Sequence, residues 1–195
     1  VSLVVLPCVE ELFAENERDV VRPAHVVHEH TGNWKWSMEL SGSSVYDVDP
    51  VRLIIGEYSK LLTIPVEVMD VHNVMSELYK NALEYGVFRS ARKTMEREIR
   101  CNRNEDTNNN LLDGCFIKLD IELIKHEDRP GVYIKVEDSG RGFDHAAVMA
   151  AVDGDTVDVS AGYGLVLASS LCDQLTFNET GNCVEAVMTG NGGPL

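Results

Sequence analysis

Positive charge is scarce in this chain. Its 195 residues include 17 Lys and Arg against 32 Asp and Glu, a formal net charge of −15 at pH 7. Neutralising a phosphate backbone takes rows of basic side chains, so general nucleic-acid binding is excluded as a function. The deficit is steepest towards the C-terminus, where Gly142–Leu195 holds seven acidic residues and no Lys or Arg. Long apolar runs are missing too. No stretch approaches the ~20 residues of a membrane-crossing helix, and no cleavable leader pattern is visible. The five cysteines (Cys8, Cys101, Cys115, Cys172, Cys183) are odd in number, scattered, and without a C-x-x-C pair. That pattern points to reduced thiols and a cytoplasmic setting rather than a disulfide framework. What the chain does have is 44% hydrophobic residues, enough for one domain with a sizeable core. It begins with Val rather than Met, and is expected to be a piece of something longer.

Periodicity sorts most of the chain into elements. Residues 2–6 read as a short strand closed by Pro7, and residues 10–33 as a charged linker broken by Pro23 and Gly32. Trp34–Leu40 alternates, which predicts a strand with one buried face. Asp49-Pro50 fits an N-cap followed by Pro at the first helical position, opening a helix to about Leu62. From Glu67 to Tyr85 apolar residues recur at Val71, Val74, Met75, Leu78, Ala82 and Tyr85, the spacing of an amphipathic helix. Its other stripe carries Asn73, Glu77, Asn81 and Glu84. The segment 89–110 is basic, then Asn-rich, and reads as a helix giving way to a loop. Strands are expected at Cys115–Ile124 and Val132–Val136, joined by a turn within Glu127–Gly131. A helix from Gly164 to about Cys172 and strands at Gln174–Asn178 and Cys183–Met188 complete the pattern. The whole predicts an α+β fold, a two-layer sandwich with helices on one face of a sheet.

Three stretches carry chemistry: Glu77–Gly86 on the second long helix, Asp138-Ser-Gly140-Arg-Gly142 after a strand, and Gly162-Tyr-Gly164-Leu before a helix. Glu77 and Asn81 are one helical turn apart and share a face. An amide oxygen such as that of Asn81 suits Mg²⁺, which takes oxygen ligands and keeps waters and phosphates around it. A carboxylate beside it, Glu77, can accept a proton from an attacking hydroxyl. Asp138 ends a strand, where an acceptor-only carboxylate can take the amine of adenine. Gly140 and Gly142 clear room for a flat base against the backbone. Gly162 and Gly164 expose backbone N–H groups at a helix start, a phosphate site. The bland alternatives are a surface salt-bridged stripe for Glu77 and Asn81, and ordinary turns for the glycine pairs.

In order and spacing these three stretches resemble the N box and the two glycine boxes of the GHKL (Bergerat-fold) ATP-binding superfamily, over about residues 70–190. The resemblance implies a mixed, mostly antiparallel sheet, and ATP and Mg²⁺ as cofactors. It implies Asn81 as the Mg²⁺ ligand, Glu77 as general base and Asp138 as adenine reader. Gly140, Gly142, Gly162 and Gly164 would line the nucleotide, Lys80 and Arg141 would offset its phosphates, and Asp144–Ala161 would be the lid. Asn81-Ala-Leu-Glu-Tyr-Gly86 and Leu171-Cys-Asp look closest to bacterial anti-sigma-factor serine kinases. Trp34-Lys-Trp36, Asp49-Pro50 and the insertion after Gly86 are similar to such modules fused behind a SpoIIE-type phosphatase and a response-regulator receiver. Residues 1–33 then read as a remnant or linker whose first strand resembles the end of that phosphatase, with the ATP-binding domain at 34–190 and a tail at 191–195. The implied partner is a small antagonist protein or a sigma-like factor, with no nucleic acid or membrane, and a homodimer is a further expectation. The chain departs from the family with Tyr85 where His is frequent, with Asn182 rather than Thr after Gly181, and with a lid free of Lys and Arg.

Other features have plainer readings. His25, His28 and His30 cluster near Glu29 without a second ligand group, as a solvated linker would. Trp34 and Trp36 fit sheet packing, and the basic stretch from Arg89 to Arg100 fits a solvated helix face or an acidic partner. Three functions follow: a serine kinase, a partner-sequestering module in which ATP is structural or absent, and a sensor histidine kinase. The last lacks a preceding helical hairpin with a phospho-accepting His.

Overall fold

Two sequence periods, one of two residues and one of three to four, sort the chain into a sheet and a helical layer. The computed structural model describes residues 27–28, 34–42, 44–88, 114–144 and 163–190. In order they form β1 (Val27–His28), β2 (Trp34–Ser41), α1 (Ser44–Asp47), α2 (Pro50–Tyr58) and α3 (Val68–Asn81). A π-helical segment (Ala82–Phe88), β3 (Phe116–His126), β4 (Arg129–Asp138), α4 (Tyr163–Leu171), β5 (Gln174–Phe177) and β6 (Cys183–Thr189) follow. The strands build one sheet in the order β1-β2-β3-β4-β6-β5. Every described pairing is antiparallel, a more uniform sheet than the mostly antiparallel one expected. The expected strand at 2–6, the 89–110 segment and most of the lid lie outside the described residues.

Register follows from which side chains need burial. Pairings Trp36↔Ile121, Met38↔Leu119, Leu119↔Val136, Ile121↔Ile134 and Ile134↔Ala186 put apolar residues opposite one another on one face. That face meets Ile54 and Tyr58 of α2 and Val71, Val74, Met75 and Leu78 of α3 in a single core. Trp34 and Trp36 are buried in it, so their packing role is observed. The other face carries half-exposed ion pairs, Lys35–Glu122 at 3.4 Å and Lys118–Glu39 at 3.5 Å, each of small energetic weight.

Several boundaries differ from expectation for identifiable reasons. Asp49 caps α2 as expected, its Oδ1 accepting the Arg52 N–H at 3.0 Å. The helix then ends at Tyr58 rather than Leu62. The Tyr58 hydroxyl donates to the Val66 carbonyl (2.7 Å) and accepts the Val66 N–H (3.2 Å), folding the chain back and leaving Leu62 in solvent. The β3–β4 turn is tighter than the five-residue span expected. His126 pairs with Arg129, so only Glu127 and Asp128 turn, both at positive φ (48° and 63°), as a two-residue type I′ hairpin requires. The long helix changes character after Asn81, becoming π-helical over Ala82–Phe88. Gly86 and Val87 are buried there, while Tyr85 is 37% exposed. The wider turn advances the buried face past Tyr85.

The β5–β6 turn leads to the site. Asn178 Oδ1 accepts the N–H groups of Gly181 (2.8 Å), Asn182 (3.1 Å) and Cys183 (3.2 Å). Asn182 in turn donates through Nδ2 to the Asp138 carbonyl (2.9 Å) and accepts the Asp138 N–H on its own carbonyl (2.9 Å). Asn178→Ala takes this acceptor from the Asn182 and Cys183 N–H groups, the Gly181 N–H keeping the Asn178 carbonyl at 3.1 Å, and is expected to lower stability by about 1–2 kcal/mol, with Asn178→Asp restoring most of it. Urea midpoints of the three proteins check this, and equal midpoints for Ala and wild type would refute it.

Candidate functional site

The end of β4, the α3/π-helix junction and the β5–β6 turn converge on one open cleft. Its walls include Asn81, Gly86, Asp138, Gly142, Phe143 and Asn182. The space is an open bowl of about 370 Å³, continuous with solvent. Three aromatic residues rim it. The rings of Tyr85 and Phe143 lie 6.3 Å apart, and those of Phe143 and Phe177 5.8 Å apart at 77°, distances typical of aromatic packing.

Asn81 is the last residue of α3. Its Nδ2 is buried and has no hydrogen-bond partner. Leaving a buried amide unpaired costs about 1–3 kcal/mol, and a half-turn about χ2 exchanges amide nitrogen and oxygen in the same space. The residue thus offers a polar group to whatever enters the cleft.

Asp138 is buried at the end of β4, 7% exposed. The Gly140 N–H donates to its Oδ1 at 2.7 Å. Burial pushes its carboxyl up to about 6; the Gly140 bond opposes this and the nearby Glu137 adds to it. The carboxylate therefore sits in an apolar corner with one oxygen anchored.

The glycines have structural reasons of their own. A Cβ on Gly140 would overlap Gly86 and the Asp138 carboxyl, so its bareness admits protein rather than a ligand. Gly142 turns at φ +70° with its Cα face against the Thr180 carbonyl, and it also borders the cleft. Gly164, in the first turn of α4, stands where a Cβ would overlap the Glu77 carboxylate. Glu77 therefore faces the start of α4 rather than the cleft wall. Lys80 and Arg141 are exposed and are not among the residues lining the cleft. Gly162 lies outside the described residues, as do the side chains of the histidine cluster. Phe143 and Phe177 belong to the site without having been singled out, while Gly86 and Asn182 were named in the sequence but given no role at the site. Gly86 carried a signal, a glycine inside an otherwise regular helical stretch.

Burying Asp138 carries a stability consequence with a definite sign. Its folded pKa lies above the ordinary aspartate value of 3.8, so its contribution is most favourable below pH ~4 and is lost as pH rises through about 6. Asp138→Asn keeps an acceptor for Gly140 and removes the charge. It is expected to stabilise the ligand-free protein by about 1–3 kcal/mol at pH 7.5 and by almost nothing at pH 4. Thermal melts across that range check this. A variant no more stable than wild type at pH 7.5 would contradict it.

Comparison with protein families matches residues 41–188 to the histidine kinase-like ATPase domain. No curated protein matches the chain significantly. The matched span begins at the end of β2 and runs through β6, so it takes in the cleft and every element around it. The chain belongs to the histidine kinase-like ATPase domain family, a family of ATP-binding domains.

Proposed function

We propose that this domain is an ATP·Mg²⁺-dependent serine kinase of the anti-sigma-factor type, which phosphorylates and thereby switches a small antagonist protein in the cytoplasm. One observation carries the reading: a buried amide nitrogen of Asn81 without a hydrogen-bond partner shares a cleft with a buried carboxylate at Asp138. The donor set fits the nucleotide. Asp138 Oδ1 is anchored by Gly140, which leaves Oδ2 to accept the adenine amine. The Asn81 amide oxygen would hold Mg²⁺, a neutral oxygen ligand of the kind that ion takes alongside phosphates and water. When bound, the metal draws charge from the phosphates. Glu77, one helical turn before Asn81, would take the proton of the incoming seryl hydroxyl once its carboxylate leaves the start of α4.

A second reading has its own support. No Lys or Arg lines the cleft among the described residues, so the domain has little positive charge of its own to offset a triphosphate. This favours a module that keeps the fold and acts by sequestering a partner, with ATP structural or absent.

Calorimetry and transfer assays separate the two. Wild type is expected to bind ATP in a strictly Mg²⁺-dependent manner and ADP at least tenfold tighter than GDP, whose carbonyl faces Asp138 with a second acceptor. Asn81→Ala should fold normally and lose the Mg²⁺ dependence. An unchanged ATP affinity in that variant would remove the metal assignment. Glu77→Gln should retain nucleotide binding while labelled-phosphate transfer to candidate antagonist proteins falls ~10²–10⁴-fold. Binding without transfer or hydrolysis in wild type would decide for sequestration.

A further inference from the structure

We propose that Gly86 is a positioning residue that, with Gly140, clamps the Asp138 carboxyl in the one orientation that leaves Oδ2 free for a ligand. The nucleotide arm of the test below rests on the ATP-binding reading, and the other arms do not.

The argument starts from what glycine is not doing at these positions. The described glycines at positive φ are Gly42, Gly114, Gly142 and Gly181. Gly86 and Gly140 are not among them, so backbone conformation does not demand glycine at either. Gly86 also sits inside a helical segment, where Gly is ordinarily less stable than Ala. Packing supplies the reason. A Cβ on Gly86 would overlap Oδ1, the carboxyl carbon and the Cβ of Asp138. A Cβ on Gly140 would overlap the Cα and carbonyl of Gly86 and the same Oδ1. The carboxyl is thus held between two bare Cα atoms, one in the π-helical segment and one in the bend after β4, and the Gly140 N–H fixes Oδ1 at 2.7 Å. Neither glycine offers Oδ2 a donor. A methyl at residue 86 must turn the carboxyl, which breaks the Gly140 bond and moves Oδ2.

Three measurements test the clamp. In wild type, Gly86→Ala is expected to lower Tm, against the usual gain from Ala at a helical Gly. In an Asp138→Ala background, where the colliding carboxyl is gone and only the residue 138 Cβ contact at 2.9 Å remains, the same change should lower Tm much less. An equal loss in both backgrounds would overturn the proposal. Should Gly86→Ala fail to fold in wild type, folding of the double variant supports the clamp, and its failure beside a folded Asp138→Ala protein refutes it. By NMR, the Gly140 amide proton should move upfield in Gly86→Ala and exchange at least tenfold faster. An unmoved resonance contradicts the clamp. In the nucleotide arm, the ADP-over-GDP preference should narrow at least fivefold in Gly86→Ala while Mg²⁺ dependence persists, and a full preference would count against it. Wild type binding neither nucleotide would sink the ATP reading and leave the Tm cycle and the Gly140 resonance to decide the clamp.

Discussion

The site depends on a carboxylate buried with no cation beside it among the described residues. Asp138 closes β4 where the sheet runs out, with Ile117 opposite on β3 and the β5–β6 turn on its other side. Burying an unpaired charge is among the more expensive things a fold can do, and the pKa of about 6 records that expense. The surroundings are built to hold it nonetheless. Asn182 grips the Asp138 backbone through both its main chain and its side chain. Asn178 fixes the Asn182 turn, and Ser139, the next residue after Asp138, is tied to the start of β3: its N–H donates to the Phe116 carbonyl and its Oγ accepts the Phe116 N–H, at 3.0 Å each. Core burial in the sheet supplies the stability against which this local loss is set.

The charge distribution gives the cleft its character. Lys80 and Arg141 stand in solvent, where salt screens them over about 8–10 Å. Of charged residues other than His, residues 142–195 add only acidic ones. A polyanionic ligand in such a cleft must bring its counter-charge with it. A neutral amide at Asn81 is the right residue for that situation, since a carboxylate there would deepen a field already negative while an amide still offers oxygen to a divalent ion.

Much of this was legible in the sequence, and the gaps have physical causes. Strand faces followed from alternation because each strand has one buried side, and α3 followed from its three-and-four spacing for the same reason. Asn81 and Asp138 were legible because polar residues of those types at a helix stripe and a strand end are chemically pointed. The purpose of Gly140 was not. A missing side chain looks the same in sequence whether the space goes to a base or to another backbone, and here it goes to Gly86. The end of α2 was hidden because it is set by a hydroxyl reaching eight residues ahead to Val66. Glu77 facing Gly164 joins residues 87 positions apart, a meeting that no local pattern encodes.

The π-helical segment shows how one element serves both sides of the cleft. Asn81 and Gly86 are five residues apart, which on an α-helix at 100° per residue separates them by roughly 140°. They would then look towards different neighbours. A π-helix bonds i to i+5 and takes more residues per turn, so residues five apart return to nearly the same side, within roughly 50°. Both residues do line the cleft, while Val87 is buried and Tyr85 reaches its rim. An unbroken α-helix would bury Tyr85 and swing Gly86 away from Asp138. The switch from α to π after Asn81 is therefore what allows a single continuous helix to present a polar ligand group and, one turn on, the bare Cα against which the carboxylate rests.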